Sequence, residues 1–469
     1  MSSTGHSIET YGADRIPEGG QYASPIGLFG VFVGAQMCFN LVVLGWLPIR
    51  FGLGFWSAEC AIAVGLFIGC LLVGPFALLG SSAGTNSAVS SGAYFGRHGR
   101  LIGSFLTFFI SLGFFALVIW TGADAITGGF SRAFHVESGA AIKSCGYLVM
   151  GLGSIGLAIY GHDKVAAAQK FVAIALGLLF LLGFVAMAPQ FDINYAGGAY
   201  VLGSFWPTWF MAMIAALAVP VSYAPFSNDY ARYISRNKHS ALSIGLANGG
   251  GLFVGCLAVM TFGAFEGSIF DVKLGPIGGM VQGCPAWYIG PVILIGVVGP
   301  LSHGALCLYA PGLDLSSFFK RLSRAWITLA VGLLGLAIVF LGAFVWDAVN
   351  AFIAFVTLFT VATTPWIVIN LIGYFHRQMR WPAANWNLRA VLAWLPAVAV
   401  GFLLSETTLF TGIWSGIAGG IDISVPVAAL AGALIYAAAL AIFPEDTASE
   451  LPDASYAGEA DSSAVNLSG

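Results

Sequence analysis

A polytopic, all-α membrane protein is the fold class this sequence predicts, and three observations carry that prediction. Charged residues make up only 8% of the 469 positions and hydrophobic ones 58%, against roughly 25% charged in a soluble domain. The apolar residues come in long stretches, with a mean hydropathy of +0.88, and most stretches reach the roughly 20 residues an α-helix needs to cross the hydrocarbon. Lys and Arg fall mainly into alternate connecting segments. So little charge would leave extensive apolar surface in water, which excludes a soluble enzyme, a nucleic-acid-binding protein and a disordered chain. A β-barrel is excluded because the segments are continuous rather than alternating with a period of two.

Twelve spans are predicted, at about 26–47, 56–80, 101–127, 145–160, 165–188, 207–231, 241–265, 287–311, 325–345, 349–374, 389–405 and 424–443, the fourth and eleventh being the shortest. With the N-terminus inside, Arg15, Arg97, Arg100, Lys164, Lys170, Arg232, Arg236, Lys238, Lys320, Arg321, Arg324, Arg377, Arg380 and Arg389 all face the cytoplasm, 14 of the 18 basic residues. Only Arg50, Arg132, Lys143 and Lys273 fall outside. That bias orients both termini to the cytoplasm of a cell membrane and agrees with an even number of spans.

Taken in order, residues 1–25 are polar, carry no cleavable signal pattern and read as a cytoplasmic segment. The first span contains Gly27, Gly30 and Gly34 and then two amides, Gln36 and Asn40, in an otherwise apolar helix. The third span ends near Asp124. The fourth holds a GxGxxG string, Gly151 to Gly156. No strand precedes it, so it reads as small residues that let membrane helices approach, not as a dinucleotide loop. The sixth packs Pro220, Ser222, Pro225 and Ser227 into eight residues and closes with Asp229 and Arg232. Proline removes an amide donor, so these residues predict a helix unwound in mid-membrane, which a bilayer tolerates only where it lines a cavity or is buried in protein.

The eighth span carries His303, the one histidine deep within a span, and ends at Asp314. No Asp, Glu, Lys or Arg is predicted at mid-depth, so a neutral polar solute suits the centre better than an ion. Residues 444–469 are polar and acidic, a composition that predicts disorder. The seven cysteines show no metal spacing, and a disulfide between Cys145 and Cys284 stays open. Spans one and six stand at corresponding places if the first ten helices are two repeats of five. Interruptions at matching places in two halves point to a transporter site. Ordinary kinks are the alternative.

Five motifs carry a resemblance. They are Ser227-Asn228-Asp229-Tyr230-Ala231-Arg232-Tyr233-Ile234, Leu308-Tyr309-Ala310-Pro311-Gly312-Leu313, Tyr11-Gly12-Ala13-Asp14-Arg15-Ile16-Pro17, Phe51-Gly52-Leu53-Gly54-Phe55-Trp56, and Pro365-Trp366 with Gly373-Tyr374-Phe375. The first is the most specific, and together they resemble the nucleobase–cation symporter family, the purine and cytosine permeases, most of all its fungal-type purine–cytosine branch. The resemblance implies an inverted five-helix repeat with two further helices, working by alternating access. The implied division is a first repeat over 26–188, a second within 207–405 (to about 376, with helix 11 following), and helix 12 at 424–443.

The same resemblance places the base-stacking aromatic on Phe114, where relatives usually have Trp, and a neighbouring site position on Val118. It puts Pro220 where several relatives carry an aromatic, and Leu306 and Cys307 where they use an amide. Ser222 and nearby carbonyls, with Gln36 and Asn40, remain to read the base edge. The sodium cage of relatives maps onto the Gly34 and Ala35 carbonyls and onto Leu301-Ser302, where one hydroxyl is missing and His303 follows. A titratable histidine there favours H⁺ over Na⁺ as the coupling ion. Other roles fit the same residues: core packing for Phe114 and His303, interhelical bonding for Gln36 and Asn40, and either gate bracing or helix anchoring for Asp229 and Arg232.

The function so implied is import of a neutral nucleobase, cytosine and/or purines, with no cofactor beyond the ion. Hydantoin or allantoin are the nearest alternatives and amino acids a further one. An enzyme would need a nucleophile, dyad or metal set at depth, a channel a charged ring or filter, and an ATP-driven pump a phosphate-binding domain. The oligomeric state is left open, a monomer being compatible with all of this.

Overall fold

The computed structural model describes residues 14–137, 139–160, 162–316, 321–345, 348–381, 385–407 and 410–443. The stretch Tyr11-Gly12-Ala13, Lys320 and the acidic tail 444–469 lie outside them. Among the described residues there are seventeen α-helices and only one isolated bridge, Glu406 with Thr411.

The first predicted span is two helices, α1 (Pro25–Gln36) and α2 (Phe39–Arg50), bent by 65° at the break between them. The second is α3 (Phe55–Val73) continued through a 3₁₀ turn into α4 (Ala77–Ala83). Next come α5 (Ser87–Phe95), α6 (Arg100–Phe134), α7 (Ala140–Tyr160) and α8 (His162–Met187). The sixth span is α9 (Phe205–Ser222) and α10 (Ala224–Ala231), separated by Tyr223. The remainder are α11 (Ala241–Ile269), α12 (Pro276–Gly283), α13 (Ile289–Ser316), α14 (Arg324–Phe344), α15 (Ala348–Arg377), α16 (Leu388–Leu404) and α17 (Ser424–Ile442).

Among the described residues ten helices can cross a membrane by length and composition, and the bent α1–α2 pair counts as an eleventh, against the twelve predicted. The apolar helix α16 has 17 residues, about 25 Å at 1.5 Å per residue, and falls short of the ~30 Å hydrocarbon thickness. The predicted boundaries err mostly by being too short. Thus α6 runs seven residues past 127, and α11 runs four past 265, which brings Glu266 inside the helix at 1% exposure. The segment after the second span is not an open loop. It forms α5, capped by the Asn86 side chain, which accepts from the Val89 amide at 3.1 Å, and every residue of α5 is buried.

Packing follows from small residues at the contacts. α2 and α11 cross so closely that a Cβ on Gly45 would overlap the Met260 carbonyl, and one on Gly263 the Val42 carbonyl. In lipid, where apolar side chains gain nothing by leaving the solvent, such close backbone approach is a main source of helix association. α13 lies along α6 and α7, and α3 along α9. These contacts bring the α1–α2 break, α6, the α9–α10 junction and α13 to one place. All seven cysteines are free, Cys284 buried and Cys145 exposed, so the pair is not bridged.

Residues 14–24 lie across one end of the bundle. Ile16, 1% exposed, donates its amide to the Gly84 carbonyl at 2.8 Å, and Ala23 donates to Tyr233 O at 2.9 Å. The Gln21 amide donates to the Arg232 carbonyl at 3.0 Å. The polar N-terminal segment is thus tied, from Ile16 on, to the turn after α4 and to the end of α10.

Candidate functional site

At the break in the first span, helical bonding stops at Gln36. The Met37 amide donates to Gly34 O at 3.1 Å and the Cys38 amide to Gln36 O at 2.7 Å, after which Cys38 is extended with φ −152° and ψ 152°. The turn leaves Gln36 and Asn40 fully buried; the Gln36 side chain lies against the Tyr223 phenol, and neither atom of the Asn40 amide has a protein partner. Each such group costs about 1–3 kcal/mol if left unsatisfied, so the Asn40 amide is poised for a polar molecule that is not part of the protein.

In the sixth span Pro220 and Pro225 each lack an N–H, and the chain between them tightens into a turn. Tyr223 N–H donates to Pro220 O, and both Phe226 and Ser227 amides donate to Tyr223 O, all at 3.0 Å. The Ser222 hydroxyl is spent on the Val219 carbonyl at 2.6 Å. The Pro220 ring faces away toward α3, where Gly69 has no side chain to block it. Tyr223 takes the inward place. Its hydroxyl lies 2.9 Å from His303 Nε2.

Around that bond the rings converge. Phe114 of α6 lies 6.5 Å from the His303 ring at an interplanar angle of 19°, and 6.3 Å from Tyr223. Phe32 of α1 meets Tyr223 edge-on at 6.2 Å, and Phe226 does so at 5.9 Å. Gln36 lies against the Tyr223 side chain, and the buried Cys38, Cys256 and Cys307 are near enough to interact with it electrostatically. His303 Nδ1 is buried without a protein partner. Val118 and Leu306 are buried on α6 and α13 at 0% and 1% exposure. With His303 neutral, every side chain of this cluster is uncharged.

Beside it lies the position mapped for a cation. The missing side chain of Gly34 lets α8 press the Gln169 backbone against α1. The Gln169 amide nitrogen donates to the Ser302 carbonyl at 2.9 Å, while Gln169 Oε1 and Ser302 Oγ, both buried, have no protein partner. Ala35 is fully buried next to Gly34.

Asp229 and Arg232 belong to a separate layer at the end that carries the N-terminal segment. The Arg232 guanidinium donates to the hydroxyls of Tyr309 at 3.1 Å and Tyr233 at 3.3 Å. Asp314 accepts from the Asn86 side chain in the same layer. The ring cluster and this layer are joined by Tyr230, whose ring lies 6.0 Å from Phe32 and 6.2 Å from Tyr309.

The structure therefore brings Gln36, Phe114, Cys307 and His303 together, sets Pro220 against α3, and puts Asp229 and Arg232 at the bundle end. Tyr223 and Gln169 went unread in the sequence. Gln169 carries the signal that marks Gln36, an amide in an apolar span. Tyr223 is the one aromatic between the two prolines, where a tightened turn can aim it inward.

The sixth span is not unwound as its prolines predict: it runs through Tyr223, which keeps helical torsions (φ −86°, ψ −9°), as one span from Phe205 to Ala231. One sharply bent helix and one interrupted at a single residue, around a buried, uncharged, aromatic-lined site in an all-helical membrane fold, fit a secondary transporter of the alternating-access class. The chain belongs to the family described as permeases for cytosine/purines, uracil, thiamine and allantoin, whose model matches residues 15–428. It is 23% identical to the "Putative purine-cytosine permease YxlA" of Bacillus subtilis (strain 168) over 89% of this chain and 92% of that protein. Its fold is shared with Mhp1, a nucleobase–cation-symport-1 family transporter, in a closed conformation with bromovinylhydantoin bound: TM-score 0.74, 16% identity, 95% of this chain and 98% of the other. The inward-facing conformation of Mhp1 gives 0.69 at 15% identity, over 93% and 95%. A Na⁺-coupled sialic acid symporter in a substrate-bound outward-open state gives 0.61 at 14%, over 94% of each chain. The family and the inverted-repeat fold read from the motifs are borne out.

Proposed function

We propose that this chain imports a neutral nucleobase, cytosine and/or purines, by alternating access driven by a cation. The carrying observation is the buried ring cluster of Phe114, Tyr223 and His303 with the Gln36 side chain beside Tyr223. A flat heterocycle gains on the order of 1–3 kcal/mol from stacking on an aromatic face, and an uncharged site suits an uncharged ligand. In this reading Phe114 is the stacking face and Gln36, with Asn40, reads the base edge. Val118, Ser222, Leu306 and Cys307 shape the surrounding wall, and Pro220 tightens the turn that positions Tyr223. Asp229 and Arg232 brace the inward end.

The coupling ion in this reading is H⁺, taken up at His303. Na⁺ held by the Gly34 and Ala35 carbonyls and Ser302 is the alternative, and the unpartnered oxygens of Ser302 and Gln169 favour it to that extent. A hydantoin is the second substrate reading, supported by the likeness to a structure solved with a hydantoin bound. The repeats are assigned to 26–188 and 207–376, the protein to a cell membrane, and both termini to the cytoplasm, on the distribution of basic residues.

The test is uptake of radiolabelled cytosine, with adenine, hypoxanthine and hydantoin as competitors, in cells lacking their own permeases. Saturable uptake in sodium-free buffer that collapses with a protonophore is the expected result. Uptake only with sodium present would move the ion to Ser302. No uptake of any base would overturn the nucleobase reading. His303→Gln is expected to abolish pH-dependent accumulation while leaving equilibrative uptake measurable; unchanged accumulation would sink the proton role.

A further inference from the structure

Away from the central site, a cleft of about 460 Å³ lies between α6, the end of α13 and α16. Its volume is within the range of small-molecule sites. The wall is made by Leu101, Phe105 and Phe108 of α6, Leu315 of α13 and Trp394 of α16, and Ser104 is the one residue on it with a polar side chain other than the indole. Trp394 is held in place, because its indole N–H donates to the Ala362 carbonyl of α15 at 2.9 Å. Leu101 and Phe105 are 43% and 56% exposed, so this side of the cleft faces the bilayer and not the transport site.

The cleft has a charged mouth. The starts of α6 and α16 are fastened side by side: the His98 amide donates to the Asn385 carbonyl at 2.7 Å and the Asn387 amide to the Phe95 carbonyl at 2.8 Å. Trp381 reaches Gly92 beside the Arg100 stem. These contacts gather Arg97 and Arg100, at the start of α6, with Arg380 and Arg389, around the start of α16. Segments 95–108 and 376–404 hold five arginines and no Asp or Glu. Asp314, at the end of α13, faces Arg100 and also accepts from Asn86, whereas Arg97 and Arg380 lie exposed. The apolar wall begins at Leu101, one residue past Arg100, and runs to Phe108, a depth of about 10 Å at the helical rise.

A hydrocarbon slot under a cationic rim matches a molecule with an anionic head and an apolar tail. Free phosphate would leave the slot empty, and a zwitterionic lipid would bring its ammonium up against the arginines. Basic pockets between membrane helices hold acidic headgroups for this reason. We propose that the cleft between α6 and α16 binds one anionic phospholipid, an acyl chain lying along Leu101, Phe105, Phe108 and Trp394 and the phosphate at Arg97, Arg380 and Arg389.

The test uses the full-length protein, stripped of lipid in detergent. It is titrated with phosphatidylglycerol, or with phosphatidylcholine of the same chains, and followed by native mass spectrometry and by melting temperature. Phosphatidylglycerol is expected to bind as a single adduct at least about tenfold tighter than phosphatidylcholine, a difference of ~1.4 kcal/mol, and to raise the melting temperature by several degrees more. The double variant Arg97→Gln, Arg380→Gln changes two exposed side chains, so it should fold; its preference is expected to fall to within about twofold. Leu101→Trp keeps every charge and crowds the slot, and is expected to weaken phosphatidylglycerol binding several-fold. Equal binding of the two lipids, or a preference that survives in the arginine variant, would overturn the proposal. Unchanged affinity in Leu101→Trp would do the same, by placing the lipid elsewhere. None of these readouts depends on which substrate the protein carries.

Discussion

At the scale of single residues, the site pairs one face of carbon with a few unmatched polar atoms, and each makes a separate prediction. Phe114 is 2% exposed and lies against both His303 and Tyr223. Truncating it removes a stacking face worth about 1–3 kcal/mol, so Phe114→Ala is expected to raise the KM for the transported base by roughly ten- to hundredfold, with Phe114→Trp restoring it. Uptake kinetics over a concentration series read this directly, and a KM that stays put would return Phe114 to the packed core. Gln36→Leu replaces a buried amide by an apolar group of similar size. Such exchanges can be neutral or stabilising for the fold. The variant is expected to melt no lower in detergent while losing most of its uptake; unimpaired uptake would leave Gln36 without a role in binding.

Elements obey a different constraint, the distance at which backbones pass. A Cβ on Gly34 would collide with the Gln169 backbone of α8, at the point where Gln169 reaches across to the Ser302 carbonyl of α13. Gly34→Val is therefore expected to separate three helices at once. Overpacking of this kind costs typically about 1–3 kcal/mol, and loss of cation-dependent uptake should come with a lowered melting temperature. The N-terminal segment is a second case. Ile16 is buried and bonded to Gly84, and Gln21 is bonded to Arg232, so it ties the turn after α4 to the end of α10. Ile16→Asp puts a charge into that contact and is expected to loosen this end of the bundle, seen as faster proteolysis at residues 15–24, without changing the affinity of the central site.

On the scale of the whole molecule, the conformation is closed around the site: Gln36, Phe114, Tyr223 and His303 are all 2% exposed or less, and Cys307 is 1% exposed. A transporter of this fold must open to load and release, so in a background lacking the exposed Cys60 and Cys145, Cys307 should react slowly with a membrane-permeant maleimide. Saturating substrate is expected to slow it further by holding the closed form. Labelling that ignored substrate would separate Cys307 from the transport cycle.

Much of this was legible from the residues in order. The spans were, because hydrocarbon admits only helices of sufficient length whose backbone groups bond within the segment. So was the break in the first span, because Gln36 and Asn40 are out of place in lipid, whereas Pro220 and Pro225 interrupt the sixth span only at Tyr223 and do not unwind it. The family followed from the ordered motifs around Asp229 and Tyr309. Tertiary structure alone decided the rest. It turned Pro220 toward Gly69 and Tyr223 toward His303, folded residues 87–95 into a buried helix, enclosed Glu266, and carried Gln169 to Ser302. The reason is geometric: a sequence sets which helix a side chain belongs to and its angle around that helix, but what it meets depends on how neighbouring helices are rotated and how closely their glycines let them approach.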